Sequence, residues 1–87
     1  MKKQQANPQL TQAVLDAVDN QLYDLKPPEA KETYERLIAS GIHDKEARRL
    51  IAIALSSEMF EMLKYKKDYS PERYIASLRK LPQLPWD

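Results

Sequence analysis

The sequence predicts an all-α domain of four helices, with a long central third helix. Three observations carry that expectation. Pro8, Pro28 and Pro71 stand where helices would begin, the sole glycine, Gly41, stands where one would end, and apolar residues recur at helical spacing between these marks. No stretch alternates apolar and polar residues with β-branched side chains, as a half-buried strand would.

The first helix is expected over residues 8–24. Asn7 suits the N-cap and Pro8 the first helical position, where its missing N–H costs nothing. At about 100° per residue, Leu10, Val14, Leu15, Val18 and Leu22 share one arc of roughly 140°. Thr11 and Gln21 fall inside that arc, while Asp16, Asp19, Asn20 and Asp24 make an acidic outer face. Lys26-Pro27-Pro28 stops the helix, since a proline disfavours α conformation in the residue before it.

The second helix is expected over 28–40. Glu29 and Glu32 sit near the positive end of its dipole, Ala30, Tyr34, Leu37 and Ile38 form the inward face, and Gly41 offers a left-handed cap. His43 or Asp44 then caps a third helix reaching about residue 67, because no proline or glycine interrupts it. Its main apolar arc holds Ala47, Leu50, Ile51, Ala54, Leu55, Met59, Met62 and Leu63, with Glu58 near the middle. Ser70-Pro71-Glu72 opens a fourth helix over 71–80 that turns Tyr74, Ile75, Leu78 and Leu81 inward. The tail LPQLPWD is too rich in proline to continue it and reads as extended. Leu84 and Trp86 either fold back over the core or form a docking peptide. The whole of 1–87 reads as one domain.

Glu58 is the sharpest anomaly. Burying an unpaired charge costs several kcal/mol, of the order of a small domain's total stability. Glu58 must therefore be paired, protonated or at a wet edge, and Gln21 and Arg36 are candidate partners. A satisfied structural network is the first reading; a small-ligand pocket around Glu58, Gln21 and Tyr34 is another. The third helix also carries Ile53, Ser56 and Phe60 away from its main arc. A helix apolar on two sides is sandwiched in a core or shared with a partner, so this seam points to a homodimer or another protein contact. Basic residues gather at Lys45, Arg48 and Arg49, and again at Lys64, Lys66 and Lys67. Cations at a helix N-terminus are unfavourable, which raises an anionic partner as an alternative; Asp44 and Glu46 beside them favour a salt-bridged surface.

Other chemistry finds little footing. Lys and Arg total 14 against 13 Asp and Glu, so net charge steers the chain toward neither nucleic acid nor anionic membrane. With no cysteine there is no disulfide, thiolate metal site or thiol nucleophile, which fits a reducing compartment. A single glycine does not make a phosphate-cradling loop. His43 is the only histidine and belongs to a turn, and carboxylates alone suit harder ions than zinc. No glycine elbow surrounds Ser40, Ser56, Ser57, Ser70 or Ser77. MKKQQANPQ is followed by no apolar segment of the kind a signal peptide carries, and no run of about 18 apolar residues occurs. The expectation is a cytoplasmic protein with no membrane span and no cofactor.

Asn7-Pro8, Val18-Asp19-Asn20-Gln21-Leu22, Pro27-Pro28-Glu29, Glu35-Arg36-Leu37, Gly41 and Glu46-Ala47 together resemble a family of small bacterial helical domains of unknown function. That family's pattern reads NPxLHxxxHxxVExQL, then PPE, RL, a glycine and HEAxH, and the resemblance spans residues 7 to about 81. Its H-x-x-x-H pairs have the spacing a metal site needs. This chain has Thr11, Leu15, Lys45 and Arg49 at those four places. The resemblance therefore implies a helical fold and no metal site or activity. The sequence reads as a non-enzymatic protein-interaction module that self-associates through its third helix. The alternative is a nucleic-acid-associated or regulatory protein using that helix's basic ends.

Overall fold

The computed structural model describes residues 8–86, with side chains from residue 11 onward. Asn7 and the side chain of Leu10 lie outside the described residues. Among the described residues the chain forms four α-helices and no strand: α1 (Pro8–Asp24), α2 (Pro28–Ala39), α3 (Asp44–Tyr65) and α4 (Pro71–Lys80).

Each helix ends by a local device. After α2, Gly41 takes φ 98°, its N–H bonds the Ile38 carbonyl, and the Ile42 N–H bonds the Leu37 carbonyl, each at 3.0 Å. This is a Schellman cap, with Ile42 packed on the core beside Leu37. α1 and α3 end similarly without glycine. Leu25 (φ 59°) and Lys66 (φ 54°) adopt left-handed backbone, while the Lys26 and Lys67 amides bond the Gln21 and Met62 carbonyls, both at 3.2 Å. α3 thus stops at Tyr65, short of the expected residue 67, through a conformation for which composition gives no sign.

At α4 the Ser70 hydroxyl accepts the Arg73 amide at 3.2 Å, a side-chain N-cap. His43 holds the N-cap place of α3 through backbone alone, its carbonyl accepting the Ala47 amide at 2.8 Å. Beyond α4 the chain turns instead of extending, the Gln83 amide bonding the Lys80 carbonyl at 2.8 Å.

α2 and α3 each pack against all three other helices; α1 and α4 each pack on that pair. The core comprises Val14 and Val18 from α1, Ala30 and Leu37 from α2, Ala47 to Ala54 along α3, Tyr74 and Leu78 from α4, and Leu81. Tyr74 is fully buried and its Oη donates to Gln21 Oε1 at 2.6 Å, so one side chain ties α4 to α1.

The expected faces need four adjustments. Thr33, not assigned inward, is buried, while Ile38 is exposed. Leu63, expected on the main arc, is 78 % exposed, and Met59 is also exposed. At 1.5 Å per residue α3 is about 33 Å long against about 18 Å for α2 and about 15 Å for α4, so its last turn outruns its neighbours.

Candidate functional site

The polar residues singled out in the sequence do not meet in one pocket. Glu58, buried on α3, accepts Arg73 Nε at 3.0 Å, Arg73 Nη2 at 2.8 Å and the Ser70 amide at 3.0 Å. Burial pushes the carboxyl up. The Arg73 hydrogen bonds, the Ser70 amide and the charges of Arg73 and Lys67 outweigh burial and hold it below its ordinary value. Arg73 Nη2 also donates to the Asp68 carbonyl, which fixes the α3–α4 turn. Glu58 is ionised and occupied, and it lines none of the hollows described below. It acts as a clamp between helices, with no carboxylate face turned to a substrate.

Neither expected partner reaches it. Gln21 serves Tyr74, and Arg36 instead donates from Nη1 to the Leu81 carbonyl at 2.7 Å and from Nη2 to the Leu78 carbonyl at 3.0 Å, capping the end of α4. Tyr34 donates from Oη to Asp44 Oδ1. That bond is the main influence on both groups, raising the Tyr34 hydroxyl and lowering the Asp44 carboxyl. The four residues therefore serve four separate sets of partners. Arg73 was missed because it lies 15 positions beyond Glu58, across a turn whose path depends on the left-handed Lys66.

The basic cluster at the start of α3 is largely engaged. Arg48 reaches Asp19 at 3.0 Å and Asp44 at 3.1 Å, so Tyr34, Asp44, Arg48 and Asp19 link α2, α3 and α1. Arg49 makes a bidentate pair with Glu46, both contacts 2.9 Å. Lys45 is exposed and makes no ion pair among the described residues.

The expected seam opens into a surface groove. Ser56 is common to three adjoining hollows of about 330, 230 and 450 Å³. The first lies between Thr11, Val14 and Leu15 of α1 and Arg49, Ala52 and Ile53 of α3. The second is walled by Val14, Met59, Phe60 and Leu63, and the third by Ile53, Ser57, Phe60 and Trp86. Phe60 is 57 % exposed and Trp86 68 % exposed. The tail thus divides: Leu84 packs on the core, whereas Trp86 presents its ring at the groove. Ile53, Ser56 and Phe60 are brought together, with α1 and the tail as walls that helical spacing could not reveal.

Thr11, Leu15 and Arg49 line the first hollow, and Leu15 and Lys45 an adjacent one. The four positions that carry histidine in the resembling pattern therefore lie side by side on the surface. Thr11, expected inside the apolar arc of α1, is exposed, and Leu15 is half-buried. Among the described residues no group of three or more His, Cys, Asp or Glu is placed to hold a metal ion. Nor is any described helix long and apolar enough to cross a membrane.

Comparison with models of protein families, with curated proteins and with solved structures finds no match for this chain.

Proposed function

We propose that this chain is a non-enzymatic protein-interaction module whose docking surface is the α1/α3 groove around Ser56. The supporting observation is the set of large apolar side chains left in water along it: Phe60, Leu63 and Trp86 are each more than half exposed and wall adjoining hollows. Contiguous exposed apolar surface is uncommon on a small monomer and characteristic of recognition sites. Glu58 and Tyr74, by contrast, are satisfied by Arg73 and Gln21, and a catalytic carboxylate would need an unoccupied face.

Binding through basic residues has less support, because Arg48 and Arg49 are already held by Asp19, Asp44 and Glu46. The test is a titration of isotope-labelled protein with an amphipathic helical peptide bearing leucines on one face and glutamines elsewhere. Amide shifts should concentrate at Val14, Ile53, Ser56, Phe60 and Leu63. No shift at about 1 mM peptide, a concentration at which even weak docking registers, would overturn the reading.

A further inference from the structure

Resting on that reading, we infer that the groove's occupant is an acidic amphipathic helix of another protein rather than a second copy of this chain. The inference comes from the charge at the groove's two ends. Lys64 Nζ stands 5.4 Å from the Phe60 ring centroid and 5.3 Å from that of Tyr65, holding a cation at the rim beside the apolar wall. Lys67 lies 5.3 Å from the Tyr65 ring. At the other end Lys45 is exposed, makes no ion pair among the described residues and borders the hollow next to the first, while Arg49, on the first, is held by Glu46.

The middle, from Ile53 to Leu63, is walled by apolar side chains except for the small Ser56 and Ser57. Ten residues of helix make that strip about 15 Å long, which three turns of a partner helix cover. Leucine-type side chains at i, i+4, i+7 and i+11 would fill it, and carboxylates in the first and last turns would meet the lysines.

A second copy fits poorly. Antiparallel pairing of two α3 helices about Ser56 brings the Lys45 end of one against the Lys64 end of the other, and parallel pairing sets each lysine against itself. Both arrangements bring cation to cation at the ends, and the carboxylates of α3 beside them, Asp44, Glu46 and Glu61, are already engaged by Arg48, Arg49 and Lys67.

The probes are three helical peptides of one leucine pattern with glutamate, glutamine or lysine in the terminal turns, titrated by calorimetry into the full chain. The glutamate peptide should bind about tenfold more tightly than the lysine peptide, and its advantage should shrink as salt rises from about 0.05 to 0.5 M. Lys64→Glu should reverse the preference, and Phe60→Asp should abolish binding of all three; both sites are exposed, so thermal melts confirm that each variant folds. Equal binding by all three peptides would overturn the inference while leaving the groove a docking site. Binding by none would overturn both readings. A dimer in sedimentation at about 100 µM that Phe60→Asp makes monomeric would show the second copy as occupant and overturn the inference.

Discussion

Replacing Arg73 by alanine leaves Glu58, 4 % exposed, with the Ser70 amide as its remaining partner from this cluster. Deleting one member of a fully buried pair costs about 3–5 kcal/mol. Arg73 is 38 % exposed, so water reaches the vacated place and the expected loss is smaller, about 2 kcal/mol. For a domain of this size that lowers Tm by about 8–16 °C. The sign with pH follows from the depressed carboxyl. In the intact chain the folded state holds Glu58 ionised below the pH at which the unfolded state takes up a proton. The stabilisation is therefore full above the ordinary carboxylate range of about 4.3 and is lost as pH falls through it toward the folded value.

Thermal melts followed by circular dichroism, at neutral pH and near pH 3, compare the intact chain with Arg73→Ala. The gap should be wide at neutral pH and narrow in acid. Arg73→Lys should recover only part of it, because an ammonium does not reproduce the two-pronged contact. A loss below about 0.5 kcal/mol at neutral pH, or a gap unchanged in acid, would refute the clamp.

Tyr74→Phe removes the hydroxyl from Gln21 and should cost about 1 kcal/mol in chemical denaturation. In an alkaline absorbance titration Tyr74 should ionise well above the ordinary tyrosine range, because burial first, and Tyr69 second, push its hydroxyl up. Stability should accordingly fall as pH rises above about 10, where the unfolded chain releases that proton and the folded chain keeps it. Arg36→Ala should cost about 1 kcal/mol and raise amide exchange at Leu81 and Gln83, since it uncaps α4 where the tail begins. Phe60→Asp should change stability by less than about 0.5 kcal/mol in the same denaturation assay.

Helix starts were legible in the sequence because proline and serine act there through local geometry: α1, α2 and α4 open on Pro8, Pro28 and Pro71. Helix ends were legible where proline or glycine follows, at Asp24, before Gly41 and at Lys80, and were overrun at α3, which stops at Tyr65. Leu25 and Lys66 are left-handed where the next amide closes on the Gln21 or Met62 carbonyl, and neither residue type signals that conformation. The inward face of α3 was read well wherever α1, α2 or α4 covers it, as at Ala47, Leu50, Ile51 and Ala54. It failed at Leu63, where periodicity continues past the ends of the shorter helices.

Pairing was the least legible layer. The burial of Glu58 could be foreseen from the wheel, but its partner depends on how the 66–70 turn returns the chain. Arg73 follows the Ser70 cap by three residues, and that placement is the signal that a carboxylate near the turn could be matched there. The groove was visible as Ile53, Ser56 and Phe60, whereas its α1 wall and Trp86 became apparent only in three dimensions.

Trp86 is the sole tryptophan and stands in the groove wall, so its fluorescence reads the docking surface directly. In the free chain at low micromolar concentration it should emit as a water-exposed indole, and saturation with the glutamate-ended peptide should shift the emission to shorter wavelength. An emission already characteristic of a buried indole in the free monomer, or one unmoved at saturation, would contradict docking at this groove.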